Sequence, residues 1–130
     1  MILIFGGAYQ GKLEYALDNF NMTEKDVFHC KEEAVLDLSF KVINNLENFV
    51  MACVKEGLEA KELLDEYGDA LEDKIIIVTD ISQGIVPMDQ NERWWREMTG
   101  RTMLYLSRRA DRVIRVFCGL GQEIKSQGEY

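Results

Sequence analysis

The residues best suited to chemistry form a glycine-rich segment near the start of the chain, GGAYQGKL at Gly6–Leu13. It fits the pattern G-x-x-x-x-G-K, in which backbone N–H groups surround an anion and the lysine reaches the terminal phosphates of a nucleotide. An apolar run precedes the segment and an amphipathic pattern follows it, so the positive end of a helix would also face the anion. The alternative is a glycine-rich turn with a chance lysine. We predict a P-loop that binds ATP or GTP through Gly6, Gly7, Ala8, Tyr9, Gln10, Gly11, Lys12 and Leu13.

One residue of this segment departs from the pattern. The residue after the lysine is normally Ser or Thr, whose hydroxyl is a ligand of Mg²⁺. Leu13 presents only carbon at this place. We therefore predict that phosphate binding survives and that Mg²⁺ binding is weakened.

A carboxylate follows a second apolar run, IIIVT at Ile75–Thr79. P-loop proteins use an acid at the end of such a strand to hold Mg²⁺, often through water. We predict that Asp80 acts with Lys12 in catalysis and holds the metal through water. The alternative is an aspartate that turns the chain or caps a helix.

The remaining patterns describe the elements that must position these residues. Short apolar or β-branched runs predict strands and residues spaced by three and four predict helices. The predicted strands are Ile2–Phe5, Val27–Cys30, Ile75–Thr79 and Val113–Cys118, and the predicted helices are Lys12–Phe20, Glu33–Lys55, Leu58–Leu71 and Gln90–Arg109. This order predicts an α/β sandwich with a mostly parallel sheet, which binds its ligand beyond the carboxyl ends of the strands.

The size and charge of the chain limit its class. Its 130 residues predict a single domain over 1–130, with a polar tail from about Ser126. A net charge of −8 repels phosphate backbones, so we expect no nucleic-acid partner. Seven arginines nevertheless give a local positive concentration that a phosphate ligand could use: Arg93, Arg96, Arg101, Arg108, Arg109, Arg112 and Arg115.

Membrane and export signals are not recognisable in the sequence. No apolar run approaches the roughly 20 residues of a membrane span, and the first residues do not resemble a signal peptide. Cys30, Cys53 and Cys118 lack metal-ligand spacing and lie among apolar residues, which predicts buried free thiols in a reducing compartment. We expect a cytoplasmic protein with no membrane association.

Four segments resemble the bifunctional adenosylcobinamide kinase / adenosylcobinamide-phosphate guanylyltransferase family of cobalamin biosynthesis. The P-loop begins GGA, as does GGARSGKS in the family. TDISQGIVP at Thr79–Pro87 is similar to NEVGxGIVP, and ERWWREMTGR at Glu92–Arg101 is similar to ARxFRDxxGR. RRADRVIRVFCGLGQEIK at Arg108–Lys125 resembles AAADEVYLVVAGLPxxxK. Nearly the whole C-terminal half and the start of the chain are covered.

The resemblance implies a three-layer P-loop NTPase-like (RecA-like) fold. It implies ATP or GTP as cosubstrate, a corrinoid acceptor and association into a homo-oligomer. It also implies that Asp80 stands where the family has the glutamate of NEVG. The phosphate-binding residues that it implies are Gly6, Gly7, Ala8, Gly11 and Lys12.

Two family segments have no clear match. The histidine that carries the guanylyl group lies in an HRxxRP-like setting, whereas His29 lies in a predicted strand. The family also has a DCLT segment after a further strand. Ala34–Ser39 is a poor candidate for it, because parallel neighbours need a crossover of roughly a dozen residues and Cys30 is too close. We predict that Ala34–Ser39 begins a helix, with Asp37 as a solvated acid.

Two functions stay open at this point. The first is a shortened kinase that phosphorylates adenosylcobinamide with ATP or GTP and has lost the guanylyltransferase step. The second is a nucleotide-binding accessory protein without catalysis, which Leu13 and the missing histidine segment favour.

Overall fold

The structure, a computed structural model, describes residues 1–81 and 89–126. Its strands are β1 Ile2–Gly6, β2 Val27–His29, β3 Val42–Asn44, β4 Ile75–Thr79, β5 Arg112–Phe117 and β6 Leu120–Lys125. Its α-helices are α1 Lys12–Asn19, α2 Leu46–Glu56, α3 Ala60–Tyr67 and α4 Gln90–Arg109, with short 3₁₀ turns at Glu24–Asp26 and Gly68–Leu71. The GIVP segment used for the family resemblance, and the predicted tail from residue 127 onward, lie outside the described residues.

The six strands form one sheet in the order β2-β3-β4-β1-β5-β6, and every pair except β5–β6 is parallel. Successive residues of a strand point to opposite faces. Leu3 of β1 packs with the core formed by α2, α3 and α4, while Ile4 packs with Ala16 of α1 on the other face. The three-layer, mostly parallel RecA-like fold is therefore confirmed.

The predicted helix over Glu33–Lys55 is wrong in its first half, which contains β3 instead. Val42 and Ile43 are fully buried between β2 and β4. A strand covered on both faces is continuously apolar, so a short run of this kind can coincide with a helical spacing. The helix begins only after Asn45, which adopts a left-handed φ of 59°.

The segment between β2 and β3 is an irregular crossover over residues 30–41. The crossover argument against a strand at Ala34–Ser39 is thus confirmed, and the predicted helix start there is wrong. Asp37 is exposed, as predicted, but lies in a turn where its carboxylate accepts hydrogen bonds from the Ser39 hydroxyl and backbone N–H. These hydrogen bonds lower the pKa of Asp37.

The sequence prediction missed β6, an antiparallel edge strand that pairs with β5. A two-residue hairpin turn joins them, with φ values of 50° at Cys118 and 75° at Gly119. Two positive φ angles give the turn whose twist suits a hairpin. Cys118 is consequently exposed, so the prediction of three buried thiols is wrong for this residue. Cys30 and Cys53 are buried as predicted, and burial raises the pKa of Cys30 to about 12 and the pKa of Cys53 to about 11.

The longest helix, α4, begins and ends at the predicted residues, Gln90 and Arg109. Asp89 caps its first turn, because its carboxylate accepts a hydrogen bond from the Glu92 N–H at 2.8 Å. The arginines Arg108 and Arg109 occupy its last turn, where the helix dipole favours positive charge. Along the described parts of the chain, no helix combines the length and the apolar composition of a membrane span.

Candidate functional site

The glycine-rich segment forms the connection between the end of β1 at Gly6 and the start of α1 at Lys12. A Cβ atom on Gly6 would lie 2.4 Å from the carbonyl oxygen of Val116 in β5, so this position accepts only glycine without a backbone shift. Gly11 precedes α1 with a left-handed φ of 83°, which glycine adopts at little cost. The chain therefore turns tightly here and directs the first turn of α1 toward the loop.

Lys12 is held in this loop rather than extended into solvent. Its side chain is 8% exposed, and its ammonium group donates a hydrogen bond to the Gly7 carbonyl at 2.7 Å. Burial lowers the pKa of Lys12, while the negative charges of Glu47 and Glu14 oppose that shift. The site thus places a partly desolvated cation at the start of a helix, an arrangement suited to an anion.

The loop is anchored to the β5–β6 hairpin through Gln10. Its side-chain oxygen accepts a hydrogen bond from the Cys118 N–H at 2.7 Å, and its backbone carbonyl accepts one from the Gly119 N–H at 2.8 Å. The predicted ligand residue Gln10 therefore also fixes the loop, whereas Tyr9 is fully exposed beside it.

Asp80 lies next to the loop, as its position after β4 predicts. Gly6 and Thr79 are partners in the sheet, and the Asp80 N–H donates to the Gly6 carbonyl at 2.8 Å. A cleft of about 120 Å³ lies at this edge of the sheet. It is lined by Phe5, Gly6, Gly7, Gln10, Asp80, Arg115, Val116 and Phe117. The structure thus brings together the glycine loop, one carboxylate and one arginine at the carboxyl edge of the sheet.

A second carboxylate near this edge, Glu47, was missed by sequence reasoning. It lies in the first turn of α2 and is 8% exposed. Its Oε1 accepts a hydrogen bond from the Thr79 N–H at 2.9 Å, one residue before Asp80. The sequence pattern predicts that Glu47 lies in the middle of a long helix, where it does not differ from a solvated acid. The sequence feature that could have identified Glu47 is the strand β3. The end of β3 places the first turn of α2 at the carboxyl edge of the sheet.

The end of β3 carries an amide instead of an acid. Asn44 is 7% exposed, and its amide nitrogen lies 3.1 Å from Nδ1 of His29. The other ring nitrogen, Nε2, lies 3.1 Å from a carboxylate oxygen of Glu24. His29 ends β2, as the interpretation of a strand histidine predicts. Asn44 and Glu24 therefore hold its ring from both sides.

The predicted concentration of arginines at a phosphate site is only partly present. Arg101, Arg109 and Arg112 form ion pairs with Glu59, Glu72 and Glu123 at 2.9, 3.1 and 2.7 Å. Arg112 also begins β5 and so lies at the opposite edge of the sheet from the loop. Among the seven, Arg115 is the arginine that lines the cleft beside the loop.

The residues around the loop offer little for a divalent cation. Leu13 packs half-buried against the core beneath α1, and Asn44 supplies an amide. Within residues 1–81 and 89–126, no group of three or more His, Cys, Asp or Glu side chains is arranged to hold a metal ion. The oxygen ligands preferred by Mg²⁺ would have to come mainly from a nucleotide and water, with Asp80 in support.

Comparison with known proteins adds one result to this geometry. The family model described as cobinamide kinase / cobinamide phosphate guanyltransferase matches residues 40–124, more than half of the chain. No curated protein matches the chain. The matched interval includes β3, the strand that the sequence patterns missed, and extends through the β5–β6 hairpin. The chain therefore belongs to the cobinamide kinase / cobinamide phosphate guanyltransferase family.

Proposed function

We propose that this protein binds ATP or GTP at Gly6–Leu13 and transfers a phosphoryl group to the hydroxyl of adenosylcobinamide. The observation that carries the proposal is the ammonium group of Lys12, buried at the start of α1 and hydrogen-bonded to the Gly7 carbonyl. A nucleotide phosphate would replace that carbonyl as its partner. Phosphoryl transfer depends mainly on positioning and on neutralising the phosphate charge. Lys12 and Arg115 supply positive charge, and Asp80 lines the cleft beside the loop.

We further propose that the guanylyltransferase step is lost. That step in the family uses a histidine in an HRxxRP-like setting, and this sequence has a single histidine. His29 ends the strand β2 at the far side of β3 and β4 from the loop strand β1. Its ring nitrogens already face Asn44 and Glu24.

The first prediction tests both parts of the proposal. Incubation of the protein with adenosylcobinamide, Mg²⁺ and labelled ATP or GTP should yield labelled adenosylcobinamide phosphate. No GDP-linked corrinoid should form, and intact-mass measurement should find no protein carrying GMP. Chromatography of the corrinoids measures the first outcome directly. Asp80→Asn should slow phosphate transfer by about tenfold or more, because it removes a charge beside the loop.

Asp69→Asn serves as the matched control, since Asp69 is exposed in the 3₁₀ turn Gly68–Leu71. It should leave the transfer rate within about twofold of the parent. A GMP adduct that disappears in His29→Ala would refute the loss of guanylyl transfer. Nucleotide binding without any phosphate transfer would refute the kinase and favour the second function.

The second function is a nucleotide-binding accessory protein without catalysis, and two observations favour it. In the family, an acid of the DCLT segment follows a further strand. Here the strand β3 ends at Asn44, an amide that cannot carry the charge of a metal-binding carboxylate. Leu13 removes the neighbouring hydroxyl ligand. Binding of a nucleotide would then persist without efficient metal-assisted transfer.

The second prediction concerns the metal dependence of binding. Mg²⁺ demands near-octahedral oxygen ligands and resists dehydration. Because the Leu13 side chain has no oxygen with which to bind Mg²⁺, EDTA should change the nucleotide affinity of the parent by less than about threefold. Leu13→Ser should make binding measurably stronger with Mg²⁺ than with EDTA, as measured by calorimetry.

The double variant Leu13→Ser with Asp80→Asn should lose this gain, since both oxygens are needed to complete the metal shell. Leu13→Ala is the control for lost packing, because it removes the same apolar group without adding a hydroxyl. Strong metal dependence in the parent would contradict the prediction and point to other ligands for the cation.

A further inference from the structure

An exposed aromatic side chain lines the cleft beside the glycine loop. Phe117 is the last residue of β5 and is 57% exposed. It shares the cleft with Gly6, Gly7 and Gln10 of the loop. A single exposed apolar residue is ordinary on a protein surface. Phe117 differs from such a residue because it forms a wall of the same cleft as the loop.

The end of β5 that carries Phe117 is fixed to the loop. The turn residues that follow it, Cys118 and Gly119, donate their N–H groups to the side-chain oxygen and the backbone carbonyl of Gln10 at 2.7 and 2.8 Å. Arg115 lies on the same face of β5, and its guanidinium carbon is 5.9 Å from the centre of the Phe117 ring. A cation at this distance attracts an aromatic ring. The ring is therefore positioned before a ligand binds, which lowers the entropic cost of binding.

The cleft opens on the face of the sheet opposite α1. Val116, between Arg115 and Phe117, is buried with Ala16 of α1, so its two exposed neighbours point to the other face. On that face Phe5 is the sheet partner of Arg115 and packs against the core formed with α2, α3 and α4. The cleft thus combines two aromatic side chains with a few polar groups, a composition typical of small-molecule sites.

We propose that Phe117 is the base-binding residue of the nucleotide site: its ring stacks on the purine of ATP or GTP while the phosphates lie at Gly6–Leu13. This inference rests on the proposed nucleotide binding and adds the residue that receives the base. Stacking uses the flat face that every base presents, so it strengthens binding without reading the edge of the base. We therefore expect Phe117 to contribute equally to the binding of ATP and of GTP.

Two other features of this region compete with the assignment. Tyr9 in the loop is a second aromatic side chain and is fully exposed, but it does not line the cleft. Leu120 and Ile124 of β6 are exposed on the same hairpin as Phe117, and together these three residues could form a contact with another protein. Neither Leu120 nor Ile124 lines the cleft, which favours the nucleotide as the ligand of Phe117.

The direct test compares ATP and GTP with tripolyphosphate, which has the phosphates but no base. Phe117→Leu removes the ring and keeps an apolar side chain. Its affinity for ATP and for GTP should be about fivefold or more below that of the parent, because stacking on the base is lost. Its affinity for tripolyphosphate should stay within about twofold. Calorimetry measures each affinity, and each variant is compared with the parent for the same ligand because the ligands differ in charge.

Three further variants serve as controls. Phe117→Tyr keeps the ring and should retain the affinity for ATP and GTP within about twofold. Ile124→Ala is the matched surface control, since Ile124 is 53% exposed and lies outside the cleft, and it should change none of the three affinities. Lys12→Ala should give the opposite pattern to Phe117→Leu, because it weakens tripolyphosphate as well as the nucleotides.

The outcomes separate this inference from the proposed function. If the parent binds none of the three ligands, both fail. If the parent binds them and Phe117→Leu lowers the affinity for tripolyphosphate as much as for ATP, or leaves every affinity unchanged, the inference alone fails. Should Phe117→Leu not fold, Phe117→Val takes its place, because a β-branched residue suits a strand.

Two results would assign Phe117 or the base elsewhere. A loss of affinity for ATP and GTP, but not for tripolyphosphate, in Tyr9→Ala together with unchanged affinities in Phe117→Leu would make Tyr9 the base-binding residue. A changed oligomeric state of Phe117→Leu in light scattering, with unchanged nucleotide affinity, would make the hairpin a protein contact. Either result overturns the inference and leaves the phosphate site at the loop intact.

Discussion

Lys12→Ala should weaken the binding of ATP or GTP at least about tenfold, equivalent to about 1.4 kcal/mol of binding free energy. The ammonium group is partly desolvated and already positioned over the loop by its bond to the Gly7 carbonyl. A charged hydrogen bond in such a setting is stronger than one in open water. Calorimetry with each nucleotide measures the loss.

The fold should tolerate this substitution, because the variant also removes the cost of a buried charge. Thermal unfolding of Lys12→Ala therefore checks that a weaker affinity is not a consequence of unfolding. Lys25→Ala is the matched control, since Lys25 is an exposed lysine in the turn before β2. It should retain the parent affinity. Equal affinity in Lys12→Ala and the parent would reject the loop as the phosphate site.

Gly6→Ala should destabilise the protein by about 3 kcal/mol, in the range of severe overpacking, and should abolish nucleotide binding. The added methyl group would lie 2.4 Å from the carbonyl oxygen of Val116, which belongs to the backbone of β5 and cannot rotate away. β1 and β5 would have to separate at the point where the loop begins. Chemical denaturation of parent and variant measures the loss of unfolding free energy.

Gly7→Ala provides a control one residue away. Its Cβ would meet the Cγ atom of Gln10 at 3.6 Å, an ordinary contact with a flexible side chain. Its unfolding free energy should stay within about 0.5 kcal/mol of the parent value. A stable Gly6→Ala protein would mean that the approach of β1 to β5 is looser than the structure indicates.

The positions in the fold that were predicted correctly depend on neighbours in sequence. The segment Gly6–Leu13 combines glycines, a lysine and a helix start within eight consecutive residues, so its form follows from local geometry. The boundaries of α4 follow from the cap at Asp89 and the basic residues of its last turn. Asp80 was placed correctly because the end of any parallel strand lies at the ligand edge.

The errors concern elements whose conformation depends on contacts made far along the chain. Ile43 fits the helical spacing of Leu36 and Phe40 as well as a strand, and Val42–Asn44 becomes β3 because it pairs with β2 on one side and with β4 on the other. The edge strand β6 exists because its residues pair with β5 across the turn at Cys118 and Gly119, with little burial of its own. Neither contact is visible in a local pattern.

The amino-acid sequence alone determined the P-loop pattern, the absent hydroxyl at Leu13 and the α/β class, because each follows from residue type and short-range periodicity. Only the tertiary structure decided that Asn44, rather than an acid, ends the strand β3, and that Glu47 faces the end of β4. The reason is physical. A carboxylate on a helix is solvated or functional according to where the sheet directs that helix, and the sheet is assembled from strands distant in sequence. The balance of charge around Lys12 is therefore a property of the assembled sheet edge.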